Sequence, residues 1–446
     1  MKILSLLFIS LLFNLQSFGQ YTLVPDSNFE QALIDLEIDS GIIDGVVLTI
    51  NIIDITFLDV HSKQIKDLTG IEDFSSLESL FCRDNQLINL NISNNPLLGK
   101  LSCEVNRLTV LDLSHNAILT DLNCRDNQLT TLDLNSNPLL EDLNCGRNPL
   151  NSLILTNNPQ LQTLWCQGIT DSSFVLDVSL NTFLTQIYCG YNNFHYLDVS
   201  KNTQLTNLYC PNNSILNLDV SQNVELTSLN CGTNLLRKLN VSQNSLLTSL
   251  YCGGNNLKEL SLEFNPKLKR IWFDNNQIAS INLSDKHDLK SISCGGNPIT
   301  CLNIAASKTT VEKFRLRAYN STKLACVEIG KMDTSLFTTL QIDSGLTLEG
   351  NCVNDCSSPF DTTDVANANI SIYPNPTNGE VTINFNKEIV RDLEISLLNI
   401  IGQEVKRYKA SYVSDFNLEI NGSSGLYFLV LKTNSSDPIV YKIIKH

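Results

Sequence analysis

A cysteine returns every 21 residues through most of this chain: Cys82, Cys103, Cys124, Cys145 and Cys166, then, after one step of 23, Cys189, Cys210, Cys231 and Cys252. Phe273 takes the next slot and Cys294 closes the series. About eleven copies keep this frame from Leu77 to roughly Thr309. A fixed period of this size specifies a solenoid, whose units are too small to bury an apolar face alone and do so by stacking. The unit starting at Leu226, LTSLNCGTNLLRKLNVSQNSL, reads L-x-x-L-x-C-x-x-N-x-L-x-x-L-x-V-S-x-N-x-x. Leu239, Val241 and Asn244 echo Leu229, Cys231 and Asn234, so each unit divides into steps of about ten and eleven residues.

The first eleven positions of that unit resemble the leucine-rich-repeat segment L-x-x-L-x-L-x-x-N-x-L, with Cys in the third apolar slot. The echo within the unit resembles the bacterial 21-residue class with nested half-repeats, which implies coils extended on both sides and little helix. An earlier unit, Ile55-Leu58-Val60-Lys63-Ile65-Leu68-Ile71-Phe74, runs at 22 residues and resembles the longer form with a helical turn. Between Cys166 and Leu176 two extra residues displace the expected Asn, which predicts a bulge.

Two columns of Asn, from Asn85 to Asn297 and from Asn95 to Asn265, predict two inward bends per coil. A short amide there can satisfy backbone groups of its own coil and the next. The Cys column is read as small apolar filler rather than a metal or redox stack, because Val60 and Phe273 occupy the same slot. In-register parallel thiols miss the dihedral a disulfide needs, and thiols buried in apolar surroundings are inert.

The solenoid needs caps. Asp26 to Ile38 opens with an N-cap candidate and carries Phe29, Leu33, Ile34 and Leu36 as a broadly helical apolar set, which predicts a capping helix. Val46 to Ile53 reads as a first strand. At the other end Cys301-Leu302-Asn303-Ile304 and Cys326-Val327-Glu328-Ile329 share one pattern and belong on neighbouring coils. Cys301, Cys326, Cys352 and Cys356 stand outside the ladder and are disulfide candidates in an exported protein. Three pairings are open, and Cys301 with Cys326 is slightly preferred.

The chain's ends speak of export. Lys2, the apolar run Ile3 to Phe13 and the small residues around Ser17-Phe18-Gly19 read as a signal peptide over residues 1–19. The run is too short to span a bilayer, and no later stretch reaches about 20 apolar residues. A formal net charge of -15 argues against nucleic acid and anionic membrane partners. After a polar linker, SSPFDTTDVANAN, strand-like runs at Val381–Phe385, Leu393–Leu398, Phe416–Ile420, Leu426–Leu431 and Ile439–Ile444 predict a small β-sandwich. The opening Tyr373-Pro374-Asn375-Pro376-Thr377-Asn378-Gly379, the segment LNIIGQEV and GLYFLVL resemble the type A sorting domain of the type IX secretion system of Bacteroidota, over roughly residues 370–446. That resemblance implies passage to the periplasm by the signal peptide, then across the outer membrane, with release or attachment at the cell surface.

The fold class expected is therefore mainly β: a leucine-rich-repeat solenoid with a short N-terminal capping helix, then a small C-terminal β-sandwich. The divisions are a cap over 20–54, a solenoid over 55–309 with about 12 repeats, a second cap over 310–356, a linker over 357–369 and the sorting domain over 370–446.

Immediately before each ladder Cys lie Phe81, Ser102, Asn123, Asn144, Trp165, Tyr188, Tyr209, Asn230, Tyr251, Trp272 and Ser293. In a strand these point away from the buried Leu and Cys. Trp165, Tyr188, Tyr209, Tyr251 and Trp272 thus line up on the exposed face as the candidate ligand-binding row. Exposed aromatic rows mark recognition surfaces, and rings in file suit sugar rings or an extended peptide. The alternative is that they only stabilise the ladder. Flanking residues shift from charged (Arg83, Asp84, Arg125, Asp126, Arg147) to glycine (Gly190, Gly232, Gly253, Gly254, Gly295, Gly296), which would leave the rings accessible. On the opposite half-coil, Asp112, Asp133, Asp177, Asp198 and Asp219 are read as acceptors of local amides rather than as Ca²⁺ ligands. The histidines are scattered, and no G-x-S-x-G, H-E-x-x-H or phosphate loop occurs. The expectation is a non-enzymatic, cofactor-free binding protein for an extracellular protein or polysaccharide, with a structural or adhesive surface role as the alternative.

Overall fold

The computed structural model describes residues 20–446 except 170–174, 284, 305–313, 322, 331–333, 351, 353–369, 386–389, 391–392, 411–412 and 434–437. The residues expected to form a signal peptide (1–19) and a linker (357–369), and Cys356, thus lie outside the described residues.

Each 21-residue coil contributes one three-residue strand, such as Ser228–Asn230, to a parallel ladder. The ladder runs through fourteen strands from Phe57–Asp59 to Phe337–Ile342. Register holds from coil to coil, with Leu208 beside Leu229 and Leu229 beside Leu250. Leu226, Leu229, Cys231, Leu236, Leu239 and Val241 of one coil are all buried. At about 1.5–3 kcal/mol per buried aliphatic side chain, stacking is what holds the coil. One apolar core extends from Val24 to Leu346.

The two Asn columns have unequal roles. Asn234 Nδ2 donates to the carbonyls of Cys210 at 3.0 Å and Cys231 at 3.1 Å, while its Oδ1 accepts from Ile215 N–H at 3.0 Å. It ties two coils at three points. Asn223 Nδ2 donates to Val199 and Asn202 carbonyls, both at 2.9 Å, but its buried Oδ1 has no hydrogen-bond partner. At the step of 23, Asn192 still clasps the Cys166 carbonyl at 2.8 Å and accepts from Ile169 N–H at 2.8 Å. The inserted residues fall in the undescribed 170–174.

The far side of most coils departs from the expected extended form. Asn223 N–H bonds Val220 O and Leu226 N–H bonds Asn223 O, which closes consecutive tight turns. Strand pairing appears there only near the C-terminal end, where Ser280–Asn282, Cys301–Asn303, Cys326–Glu328 and Thr347–Glu349 form a second parallel sheet. The segments at Cys301 and Cys326 do lie on neighbouring coils, with Leu302 beside Val327.

At the N-terminal end a helix spans Ser27–Asp35, and the Asp26 carboxylate accepts from Asn28 and Phe29 N–H. Phe29, Ala32 and Leu33 reach the core, whereas Leu36, expected inside, lies past the helix and is 45% exposed. The expected strand Val46 to Ile53 is shorter. Val46–Leu48 pairs antiparallel with Tyr21–Leu23, and Thr49–Ile52 turns helical, burying Ile52 and exposing Ile50. Only three residues of that β-branched run find a ladder partner, so packing overrides propensity. The predicted helical turn of the early unit is the 3₁₀ segment Ile71–Asp73.

The slightly preferred pairing of Cys301 with Cys326 is not the one formed. Cys326 is bonded to Cys352, with Cα atoms 5.9 Å apart, and Cys301 is also disulfide-bonded. Neighbouring parallel strands set side chains abreast, so the objection to disulfides within the ladder applies in this cap too.

The C-terminal residues form two antiparallel sheets. One orders Ser371–Tyr373, Glu380–Asn384 and Asp415–Glu419, and the other Glu404–Ala410, Leu393–Asn399, Gly425–Lys432 and Ile439–Lys445. Their core includes Ile383, Phe385, Ile395, Leu397, Leu429 and Leu431. The strand Glu404–Ala410 was not expected from sequence, since EVKRYKA is an edge strand exposed along most of its length.

Candidate ligand-binding face

In each three-residue ladder strand the central side chain enters the core and the outer two lie on the opposite face, where the larger ones reach solvent. Leu164, Ile187, Leu208, Leu229, Leu250 and Ile271 are accordingly buried, while Trp165, Tyr209 and Trp272 are 36%, 39% and 38% exposed. Tyr188 and Tyr251 are half-buried. Backbone register sets Trp165 beside Tyr188 and Tyr188 beside Tyr209, then Tyr251 beside Trp272.

The rings form two groups rather than one file. Trp165 and Tyr188 stack with centroids 3.8 Å apart, and Tyr209 follows at 6.0 Å, tilted by 37°. Asn230 interrupts, and Tyr251 then meets Trp272 edge to face at 4.8 Å.

The flanking glycines answer a backbone demand. A Cβ on Gly190 would meet Pro211 O at 2.9 Å, and one on Gly295 would meet Tyr319 O at 2.6 Å. The next position adopts the left-handed conformation whatever its side chain, as at Asp126 (φ 52°), Arg147 (φ 53°) and Gly254 (φ 68°). That bend recurs with the coil and is independent of ring access.

A groove of about 560 Å³ opens on the same face, N-terminal to most of the ring row. Phe57 and Phe81 bound one end, with ring centroids 5.4 Å apart, and Trp165 bounds the other. Between them lie the smaller Ser102, Asn123 and Asn144, flanked by Lys100, Asp121 and Asp142. Lys100 Nζ is 3.4 Å from Asp121. Of the proposed row only Trp165 lines this groove. Polar strand positions carried no sequence signal, because Ser, Asn and Asp also suit any solvated strand face.

The Asp column faces its own bends. Asp112, Asp177, Asp198 and Asp219 each accept from the backbone N–H of the Ser two residues on at 2.9 Å, and Asp133 accepts from Asn135 N–H at 3.0 Å. These bonds hold Asp112 and Asp198 below the usual carboxylate range; for Asp177 the Ser179 hydroxyl contributes first and its amide second. Among the described residues no three His, Cys, Asp or Glu side chains converge as metal ligands. The ladder cysteines are free thiols, fully buried. Burial pushes Cys145 and Cys231 up to about 12 and raises the other ladder thiols well above the ordinary thiol value.

In the sorting motif, Asn375 clamps the last strand: its Nδ2 donates to Lys442 O at 2.8 Å and its Oδ1 accepts from Ile444 N–H at 3.0 Å. The bonds Tyr373–Pro374 and Asn375–Pro376 are cis, and Gly379 has φ 131°.

Residues 371–446 match the family model of the secretion system C-terminal sorting domain. No curated protein matches the chain. Among solved structures it is similar to the functional domain of InlJ from Listeria monocytogenes, described as including a cysteine ladder. The identity is 25% and the TM-score 0.60, over 96% of this chain and 99% of that one. It is also similar to the internalin InlF of L. monocytogenes (21% identity, TM-score 0.58, 74% and 96% covered). A leucine-rich-repeat protein of Leptospira interrogans follows (21%, TM-score 0.51, 61% and 74% covered). The chain is thus a leucine-rich-repeat solenoid carrying a secretion sorting domain, consistent with a Bacteroidota source.

Proposed function

We propose that this secreted leucine-rich-repeat protein is a binding protein, displayed at the cell surface or released, that recognises an extracellular protein or polysaccharide without catalysing a reaction. The supporting observation is the aromatic row: Trp165, Tyr209 and Trp272 keep more than a third of their surface in water on the sheet's regular face. Large exposed rings cost solubility and recur at recognition surfaces. The sorting domain implies export to the outer surface or secretion. Passage through the periplasm on an N-terminal signal peptide belongs to the proposal, and so does the absence of catalysis. The histidines His61, His115, His195 and His287 lie on separate coils, and no helix of the described residues is long and apolar enough to cross a membrane.

The stacking of Trp165 on Tyr188 favours a second reading, a structural or adhesive surface component whose rings only brace the ladder. Screening the full chain against glycans and extracellular proteins separates the two. A variant with Trp165, Tyr188, Tyr209, Tyr251 and Trp272 changed to Ala would run alongside, its fold checked by circular dichroism. Binding lost in the variant supports recognition through the row, whereas binding retained, or absent from both, leaves the bracing role. For the export route, a chain ending at Cys356 should accumulate in the periplasm; its appearance outside the cell would remove that assignment.

A further inference from the structure

The exposed face changes character over its last coils. One position before the strand, Thr120 and then four successive coils at Thr185, Thr206, Thr227 and Thr248 carry a hydroxyl that bonds a carbonyl of the preceding coil at 3.0 to 3.2 Å, whereas Glu78, Gly99, Glu141 and Gln162 hold that slot in other earlier coils. The next two coils carry Lys269 and Lys290 there, both exposed. A repeated bond has been given up for a cation twice in succession. Beside them, register aligns Arg270, Ser291 and Arg315 at the first strand position and Trp272, Ser293 and Arg317 at the third. The three arginines are exposed, and no hydrogen bond or ion pair among the described residues engages their guanidinium groups. Five cations therefore share three coils of a chain whose formal net charge is -15.

Ser291 and Ser293 are buried, so their rung forms a low floor between taller side chains. The flanking strands are two ladder steps apart, about 10 Å. Trp272 walls one side, its indole held by a 3.2 Å bond from Nε1–H to Ser291 Oγ and by the edge contact with Tyr251. Arg315 and Arg317 wall the other side. Asp274 lies close enough for the Arg317 charge to favour its ionised form, but its carboxylate is turned onto the Ser293 hydroxyl at 2.5 Å and the Gly295 N–H at 3.0 Å, so it offsets the patch in part without pairing with a guanidinium.

We propose that this slot binds an anionic polysaccharide, a sugar ring lying against Trp272 and its carboxylate or sulfate meeting Arg270, Arg315 and Arg317. Guanidinium forks match such groups bidentately, and a fixed indole offers a flat apolar wall to a ring. A nucleic acid, with a charge about every 1.7 Å, calls for a cationic track far longer than three coils. A polymer with one charge per ring does not. The assignment rests on the strand-face reading above and specifies its ligand.

The test uses the full chain with polygalacturonate and dextran sulfate as acidic probes, and with neutral dextran and polyglutamate as comparators. Binding to at least one acidic polysaccharide is expected, weakened at least tenfold in R270S/R315S/R317S, largely restored in R270K/R315K/R317K, and reduced by salt. K201S, an exposed change on the far side of the coils, should leave it unchanged. No binding to either acidic polysaccharide, or equal binding by the serine variant, overturns the slot. Equal or tighter binding of polyglutamate overturns the polysaccharide as occupant. A neutral glycan or a protein that binds and depends on Trp165, Tyr188 and Tyr209 would overturn the slot while leaving the strand-face reading intact.

Discussion

The indole of Trp165 lies on the ring of Tyr188, centroids 3.8 Å apart and planes 17° from parallel. Both project from adjacent strands in register, so the ladder itself brings them face to face. Such a pair is worth about 0.5–1.5 kcal/mol beyond its buried area. A double-mutant cycle with W165A and Y188A should return a coupling in that range from chemical unfolding. A coupling near zero would mean that the rings are held by the coil and not by each other.

The two Asn columns should respond differently to truncation. Asn234→Ala leaves Ile215 N–H without its acceptor and takes a donor from two buried carbonyls, whereas Asn223→Ala removes two donated bonds together with an oxygen that had no partner. With about 1–3 kcal/mol for each stranded buried group, Asn234→Ala should be the costlier change by at least about 1 kcal/mol. Thermal melts of both variants read this directly, and equal losses would contradict it.

The ladder thiols should be silent in the native state. Burial holds Cys231 at about 12 and leaves its sulfur without solvent contact. A thiolate reagent at pH 8 should modify the ladder cysteines only at the rate of unfolding. Cys231→Val, near in volume and already tolerated at Val60, should cost less than about 1.5 kcal/mol. Rapid labelling of folded protein would argue that the coils open locally.

Asp274 gives the pH prediction. Burial raises its carboxyl above the ordinary value, with the Ser293 hydroxyl opposing. The folded state therefore binds the proton more tightly than the unfolded chain, so this group's contribution to stability falls as pH rises from about 3.8 through the folded pKa. Asp274→Asn keeps an oxygen to accept from Ser293 and Gly295 but cannot ionise. It should match the parent near pH 3.5 and melt at an equal or higher temperature at pH 7. A lower melting temperature at pH 7 would show that the bonds to the carboxylate outweigh its burial.

The solenoid was readable from sequence because its period is a property of every coil at once: Cys103, Cys124 and Cys145 each repeat the same constraint. The caps were less readable, because each occurs once and answers to local packing. The run after Val46 has strand propensity along its length but finds only a three-residue partner in Tyr21–Leu23. The disulfide was misassigned from a shared pattern, although the pattern's register already set Cys301 and Cys326 abreast. The ring row was visible, since its positions follow from alternation. Its division into two groups was not, because that depends on how Trp165 and Trp272 turn about their side-chain bonds. The arginine slot escaped because it is assembled across Arg270, Arg315 and Arg317, where the spacing has slipped from 21.

The unbroken register of the central coils carries an evolutionary corollary. Because Leu208, Leu229 and Leu250 meet one another through the same contact, excising or duplicating one whole unit recreates an interface the molecule already has. Lineages can therefore change the reach of the outer face by unequal recombination without renegotiating the interior. Rings and charges on that face can then drift coil by coil, as letters on a tape whose backing never changes.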